Sequence, residues 1–335
     1  MSTALLADPI STLSASSTTA PLSILYEHPA WFERLFNELD RRGTSYQKVS
    51  ATEFFYDPGV TKDLPAVVFN RMSPSAYRRG HGSGISHTLS YLHHLEAAGT
   101  RVINGSRAFQ YELSKAAQLS LLGSLGLRFP KSRVLHNPES ALAAAEGLRF
   151  PVVIKPNVGG SGAGVVRFNS REELAAAVGG GQLDFGFDHV GLLQEFIPAR
   201  GGFITRVETL GGKYLYAIKV HLSGETFDLC PADICQTTKG EDLTACVLEA
   251  SKSGLKVEAF EPAPDIIAAI EATVQAAGID VGGIEYIVDD RDGHVYYYDV
   301  NALSNFVADA PRVIGFDPFV NLGDFLEEAL RHGGR

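Results

Sequence analysis

The sequence contains few of the residues that dominate several protein classes. Its 335 residues include only three cysteines, Cys230, Cys235 and Cys246. Three are too few for the disulfide framework of a small secreted scaffold, so we expect a reducing, cytoplasmic compartment. No apolar run approaches the roughly 20 residues that a membrane-spanning helix needs, and we therefore predict a soluble protein with no membrane partner.

Positive charge is also scarce. There are 29 lysines and arginines against 39 aspartates and glutamates, and the formal net charge is −10. Because no long basic cluster interrupts this acidic balance, nucleic acid is disfavoured as a partner. The hydrophobic share of 45% is typical of a globular chain.

The N-terminal segment differs in amino-acid composition from the rest of the chain. Residues 1–21 are rich in Ser, Thr and Ala, and they lack both a basic stretch and an apolar core. This composition favours a disordered tail over a signal peptide.

The next part of the chain alternates between strand-like and helical patterns. Strands are predicted at 22–26, 65–72 and 101–104, and helices at 29–43 and 86–99. This alternation predicts an α/β layer with a mainly parallel sheet.

The remaining pattern is richer in predicted antiparallel pairs. A helical stretch over 106–126 precedes strand-like segments, two of which are joined through Gly211 and Gly212, a hairpin signal. A DRDG turn separates two further strands within 282–301, and we expect the three aspartates of this region to be solvated: Asp289, Asp290 and Asp292.

A glycine-rich stretch, PNVGGSGAGV at 156–165, directly follows Lys155. A Walker A loop would place its lysine after the glycines, and a dinucleotide-binding loop would open a helix; here strand-like GVVRF follows instead. The residues therefore predict a β-hairpin with a glycine tip. Such a tip is either an ordinary flexible loop or a cover whose N–H groups bind phosphate.

Four motifs in order make the pattern more specific. They are ELSKAAQLSLLGSLGLRFPKS with Lys115, the lysine–glycine hairpin 40 residues later, GLLQEFIPARGG, and GIEYIV followed by YYYDVNALSNF. From about Val67 to about Phe306 this order resembles the ATP-grasp superfamily, and within it the RimK-like and glutathione-synthetase-like carboxylate–amine ligases. The resemblance implies an N-terminal pre-ATP-grasp α/β domain at 22–110 and an ATP-grasp domain at 111–332, with a lid at about 128–190.

The resemblance implies that ATP is bound by two lysines, the hairpin tip and a hinge strand. Lys115 and Lys155 match the lysines that hold ATP phosphates, although a helix lysine such as Lys115 can also be merely solvated. The hinge strand would meet adenine through backbone groups, while Phe196 could simply face the core. The tip and hinge residues are Gly160, Ser161, Gly162, Gln194, Glu195, Phe196 and Ile197.

Three cations match catalytic positions of the family. Arg206 and Lys219, on adjacent predicted strands, would lie near the γ-phosphate and the acyl phosphate, or else be ordinary ion-pair partners on a sheet. Arg71 matches the arginine that meets a substrate. Two departures stand out, since Ile204 replaces an acidic residue and the segment 222–262 lacks an expected Arg/Asn motif. The nearby Arg78, Arg79, His81 and His87 have no matched role.

The sequence also predicts a metal site. Asp299 and Asn301 alternate on one strand and share a face, and Glu285 lies on the preceding strand. Their oxygen atoms suit Mg²⁺, with Mn²⁺ as an alternative. The family more often has Glu at the position of Asp299.

The implied function is ATP-dependent ligation of a carboxylate and an amine, through an acyl phosphate, on an amino acid or small peptide. A kinase with the same fold and a non-catalytic nucleotide-binding module are the alternatives. The resemblance also implies a possible homo-oligomer.

Overall fold

The computed structural model of the protein describes residues 20–160, 162–222 and 256–332. Their strands form three sheets, two of four strands and one of five, and the predicted α/β class is confirmed. Ser161, the three cysteines and residues 1–19 of the predicted tail lie outside the described residues. No helix in the described ranges is long and apolar enough to cross a membrane.

The first sheet is parallel, as predicted, in the order β2-β1-β3-β4. Its elements are β1 (Leu22–Tyr26), α1 (Glu33–Arg42), β2 (Tyr46–Ser50), β3 (Val67–Arg71), α2 (Gly82–Ala97) and β4 (Arg101–Ile103). Helix α2 begins four residues before the predicted start. The sequence did not indicate its first turn, Gly-Ser-Gly-Ile, because those residues lack a helical apolar pattern.

Two short helices follow where the sequence predicts one continuous helix over 106–126. They are α3 (Ser106–Glu112) and α4 (Lys115–Ser124). The break occurs at Ser114, whose extended backbone and side-chain oxygen cap the second helix by accepting the N–H of Ala117 at 3.1 Å. This break sets Lys115 at the first turn of α4.

The second sheet, which we call the hairpin sheet, is antiparallel in the order β5-β8-β6-β7. Its elements are β5 (Ser132–Leu135), α5 (Ala141–Ala144), β6 (Val152–Pro156), β7 (Val166–Phe168), α6 (Arg171–Gly179) and β8 (Gly191–Glu195). Strands β6 and β7 form the predicted glycine hairpin. Gly164 has a φ of 73°, and a Cβ there would lie 2.9 Å from Pro156 Cγ, so this position requires glycine.

The third sheet has the order β11-β10-β9-β12-β13 and is antiparallel throughout. Its elements are β9 (Phe203–Leu210), β10 (Lys213–His221), β11 (Val257–Phe260), α7 (Pro264–Ala277), β12 (Val281–Val288) and β13 (Val295–Asn301), and the chain ends in α8 (Ala310–Ile314) and α9 (Pro318–His332).

The aspartates between β12 and β13 are not uniformly solvated as predicted. Asp290 and Asp292 are exposed, but Asp289 is fully buried. The guanidinium and backbone N–H of Arg291 donate to its carboxylate, which compensates for burial.

One continuous apolar core joins the first and third sheets. Leu22, Phe69 and Ile103 from the first sheet pack in the same cluster as Ile204 and Ile218 of the third. The opposite face of the third sheet packs on α3, α4 and α7, and the hairpin sheet has a core of its own with α5 and α6. The third sheet is therefore the central layer that positions the other two.

Asn104 links the first sheet to the third through hydrogen bonds. Its side chain donates to the carbonyls of Val281 (2.7 Å) and Ala302, and accepts the N–H groups of Asp280 (2.9 Å) and Val281 (3.0 Å). It is fully buried with a φ of 52°, a left-handed conformation that asparagine tolerates well. One side chain thus fixes the start of β12 relative to the residue after β13.

We predict that Asn104→Ala lowers the free energy of unfolding by about 4 kcal/mol, because four buried backbone groups lose a partner at about 1 kcal/mol each. Urea denaturation measures the loss. Asn137→Ala is the control, since Asn137 only caps an exposed 3₁₀ turn (Pro138–Ser140) and its loss should cost about 1 kcal/mol. Equal losses in the two variants would contradict this role for Asn104.

Candidate active site

A row of charged side chains crosses three strands of the third sheet. Arg206 on β9 is directly opposite Glu285 on β12, which is directly opposite Asp299 on β13. Residues in register on antiparallel neighbours share a face, so the three side chains meet. Arg206 Nη1 lies 3.1 Å from Glu285 Oε1, and Arg206 Nε lies 2.6 Å from Glu208 Oε1. All four residues are buried or nearly so.

Lys115 reaches the other end of this row. Its Nζ lies 2.5 Å from Asp299 Oδ1. The position of Lys115 is fixed by Asn157, at the start of the hairpin tip, whose side-chain oxygen accepts the N–H of Ala116 at 2.9 Å. The glycine hairpin and the first turn of α4 are therefore held together beside Asp299.

Lys155 approaches from the hairpin sheet. It is 7% exposed, and its Nζ lies 6.0 Å from the ring centroid of Tyr298, whose hydroxyl donates to Glu285 Oε2 at 2.8 Å. Tyr298 is the extra residue of a β-bulge between β12 and β13, which turns its ring toward the site. The two sheets thus bring Lys155 and the charged row to one place.

Burial and mutual charge shift the pKa values of this cluster in opposite directions. Burial, and then repulsion from Lys115, lowers the pKa of Lys155 to about 8. Burial and the neighbouring Asp299 raise the pKa of Glu285. Burial alone would raise the pKa of Asp299 too, but Lys115 and Lys155 together hold it below its ordinary value. Asp299 is therefore the carboxylate kept ionised by the two lysines.

The predicted metal residues lie together. Asn301 follows Asp299 by two positions on the same face, and its Nδ2 is buried without a hydrogen-bond partner among the described residues. An amide whose nitrogen has no partner is free to present its oxygen to a cation. His, Cys, Asp and Glu alone form no cluster of three in the described part of the chain, so the third donor here is this amide. Three hard oxygen donors fit Mg²⁺.

A second chain of contacts leads from this row to the first sheet. Arg206 Nη2 bonds Ser304 Oγ at 2.6 Å, and Arg71 Nη1 donates to the Ser304 carbonyl at 3.0 Å. Arg71 also bonds the Asn305 amide oxygen, and its guanidinium lies 4.9 Å from the ring of Phe32. No carboxylate among the described residues lies within salt-bridge distance of Arg71, and its burial lowers its pKa to about 10.

Side chains from α3 and α4 bind the outer edge of β13. Gln118 donates to the carbonyl of Val300 at 2.8 Å and accepts its N–H at 3.1 Å, as a further strand would. Glu112 accepts the N–H of Ala302. These two residues fix the strand that carries Asp299 and Asn301.

Lys219 is not brought to this row, contrary to the prediction that placed it with Arg206. Arg206 pairs with Ile218, whereas Lys219 pairs with Thr205. Successive residues of a strand point to opposite faces, so the one-residue offset places Lys219 on the other side of the sheet. There its Nζ lies 4.4 Å from the ring of Phe260 and 3.8 Å from Glu258.

The predicted hinge residues lie at the end of β8. Gln194 is buried and donates to Ser132 Oγ at 2.9 Å, and Glu195 accepts the N–H of Arg149 at 2.9 Å. The N–H of Phe196 donates to the Pro151 carbonyl at 2.9 Å. Ile197 is buried in the core shared with the first sheet. The segment leaves the sheet at Phe196, directly after β8 ends at Glu195.

The hairpin tip has open space at Gly160. Gly160 has free space where a Cβ would lie, and Gly162 has a φ of 68°. Ser161 lies outside the described residues.

Several site residues were missed by the sequence reading: Glu112, Gln118, Asn157, Glu208, Tyr298 and Ser304. One carried a usable signal, because Glu208 alternates with Arg206 on one strand. The others lie inside the quoted motifs, but they act through contacts between distant parts of the chain, which no local pattern specifies.

Burial raises the pKa of Glu112 to about 7. The native protein then retains this proton up to about pH 7, while the unfolded chain releases it near the ordinary value of 4.5. Since the unfolded state binds fewer protons in that interval, stability falls as the pH rises through it, by about 3 kcal/mol in total from this group. We predict that Glu112→Gln, which keeps an oxygen for the Ala302 N–H, removes that part of the decrease.

Urea denaturation at pH 5, 6, 7 and 8 checks this prediction, with Glu139→Gln as the control because Glu139 lies on an exposed turn. Parallel curves for wild type and Glu112→Gln would show that Glu112 does not titrate in this way.

Comparison with known proteins gives relatives in sequence and in structure. The chain is 26% identical over 296 residues to the α-aminoadipate–LysW ligase LysX of Sulfurisphaera tokodaii, covering 85% of this chain and 94% of the relative. It is 28% identical over 173 residues to a D-alanine–D-alanine ligase of Geobacter sulfurreducens, covering 50% of this chain and about half, 52%, of that relative. No protein-family model matches.

The solved structures agree with the sequence relatives. The ATP-grasp ligase PsnB, complexed with a minimal precursor, superposes with a TM-score of 0.65 at 18% identity, covering 95% of this chain and all of that one. PsnB has also been solved with minimal precursor, Mg and ADP. The chain therefore resembles ATP-grasp carboxylate–amine ligases, in sequence over most of its length and in fold.

Proposed function

We propose that the chain is an ADP-forming ligase that activates a carboxylate with ATP and joins it to an amine. One observation carries the proposal: a buried row from Arg206 through Glu285 to Asp299 meets Lys115 from α4 and Lys155 from the glycine hairpin. Burying this many charges in one place has a desolvation cost that the ion pairs only partly offset. Such clusters are therefore more often found at functional sites than in purely structural cores.

In this proposal ATP lies between the hairpin sheet and the third sheet. Lys155 and Lys115 hold its phosphates from two sides, and the glycine tip closes as a lid, with Ser161 between Gly160 and Gly162. Adenine lies along the end of β8, where Gln194, Glu195, Phe196 and Ile197 leave the sheet. Binding phosphate would release Lys115 from Asp299, which frees that carboxylate.

Glu285, Asp299 and Asn301 would hold Mg²⁺ through their side-chain oxygens. A cation held by these residues would supply positive charge against the ATP phosphates. The chain's own contribution is to keep Asp299 ionised through its two neighbouring lysines and to fix β13 through Gln118 and Glu112.

The reaction proceeds in two steps. A carboxylate oxygen attacks the γ-phosphorus, which gives an acyl phosphate and ADP, and Arg206 stabilises the charge on the phosphoryl oxygens. An amine nitrogen then attacks the acyl carbon, the C–O bond to phosphate breaks, and an amide and inorganic phosphate result. Arg71 is a buried cation whose hydrogen-bond acceptors among the described residues are neutral, and it would hold an anionic group of the substrate.

An amino acid or small peptide is the proposed substrate class. The names of the relatives support it, since LysX joins α-aminoadipate to LysW and PsnB has been solved with a precursor. We propose a cytoplasmic location, where ATP is available.

The test is ³¹P NMR of the protein with Mg-ATP and a pool of amino acids, dipeptides and small carboxylates. We predict ADP and an equal amount of inorganic phosphate that form only when the pool is present. Asp299→Asn should reduce the rate at least about 100-fold, because it removes a charged ligand of the phosphate-bound metal.

Asp290→Asn is the matched control, since Asp290 is 65% exposed on the turn before β13 and its variant should retain the wild-type rate. A new phosphomonoester with no free phosphate would instead identify a kinase. Unchanged ATP beside a stably bound nucleotide would identify a non-catalytic binding module.

A further inference from the structure

A carboxylate is buried at the end of β1, outside the row of charges described above. The side chain of Glu27 is fully buried, and both of its oxygens are bonded by Arg79, at 2.9 and 2.5 Å. Its Oε1 also lies 2.7 Å from Nδ1 of His81. Arg79 in turn packs its guanidinium 5.0 Å from the ring of Trp31. Although burial alone would raise the pKa of Glu27, its hydrogen bonds with Arg79 and His81 lower that pKa, so Glu27 is a buried, ionised carboxylate.

This carboxylate fixes the imidazole of His81. A hydrogen bond from Nδ1 to a carboxylate places the ring proton on Nδ1 and leaves the lone pair on Nε2. His81 is 41% exposed, so the imidazole is open to solvent, while its contact with the buried Glu27 sets its orientation. A buried carboxylate that orients an accessible histidine is the arrangement of a general base.

The His81–Glu27 pair lies at the switch point of the first sheet. In the order β2-β1-β3-β4 the chain moves to one side of β1 and then to the other, and ligands bind at the carboxyl ends of the strands at such a point. Tyr26 on β1 is in register with Arg71 on β3, and Glu27 is the next residue. His81 thus lies at the same end of the sheet as Arg71, which is connected through Ser304 to Arg206.

The segment that carries His81 also contacts the hairpin sheet. The ring of Tyr77 stacks on Phe187, with centroids 5.4 Å apart, and its hydroxyl lies 3.5 Å from the carbonyl of Val158 at the glycine tip. The segment from Arg71 to His81 therefore runs between the end of the first sheet and the proposed lid.

We propose that His81, oriented by Glu27, is the general base that takes the proton of the attacking amine. The inference rests on the proposed ligase function. The amine nitrogen forms a bond to the acyl carbon and releases its proton to Nε2 of His81. The C–O bond to phosphate breaks, the electron pair leaves with the phosphate, and the proton passes from His81 to that phosphate. The sum is amide and hydrogen phosphate, with no other reactant.

The experiment separates the two half-reactions with hydroxylamine. This strong nucleophile converts an acyl phosphate to a hydroxamate without needing a base, and ferric chloride detects the product. The same pool of amino acids, dipeptides and small carboxylates supplies carboxylate and amine, and mass spectrometry measures the amide. We expect His81→Ala to form hydroxamate at the wild-type rate. Its rate of amide formation should be lower than that of the wild type by about 100-fold or more. Added imidazole should restore part of it.

His93→Ala is the control, because His93 is an exposed histidine on α2 outside both clusters, and its variant should form amide at the wild-type rate. If His81→Ala loses hydroxamate and amide formation by the same factor, or loses neither, His81 is not the base. If the wild-type protein forms no hydroxamate with any member of the pool, the ligase function and the role of His81 are both overturned.

Discussion

The structure depends on the mutual compensation of charges buried at the third sheet. Arg206 is placed between Glu208 and Glu285, and Lys115 contacts Asp299. Each of these groups alone would carry a large desolvation cost, and each is retained because a partner of opposite charge faces it. No carboxylate in the described part of the chain lies within salt-bridge distance of Lys155, and burial and repulsion from Lys115 lower its pKa. The contact with Asp299 instead raises the pKa of Lys115.

The third sheet also carries the strand β13, whose outer edge is fixed by neighbouring side chains. Strand β13 is the last strand of the sheet, and an unpaired edge would leave its backbone groups without partners. Gln118 and Glu112 bind that edge from the helices, and Asn104 bonds the carbonyl that follows it. Asp299 and Asn301 therefore lie on a strand supported from both sides, and a fixed position is what phosphoryl transfer requires of the groups that hold its reactants.

Much of the fold could be predicted, and so could the shared face of two candidate metal residues, because both depend on local patterns. Alternation on one strand brought Asp299 and Asn301 to one face, and the glycine stretch between strands indicated a hairpin. The pairing of residues across strands could not be predicted from local patterns. The register that separates Lys219 from Arg206 is a tertiary property, and Asp289 is buried because Arg291 folds back on it. The His81–Glu27 pair joins residues 54 positions apart and has no signature in the sequence.

The central claim is that an acyl phosphate forms at this site. Transfer of ¹⁸O from labelled carboxylates to inorganic phosphate tests it most directly, because the carboxylate oxygen that attacks the γ-phosphorus leaves with the phosphate. With a pool of ¹⁸O-labelled amino acids and dipeptides, the account predicts inorganic phosphate that carries one ¹⁸O atom for each amide formed. Amide or ADP accompanied only by unlabelled phosphate would contradict it.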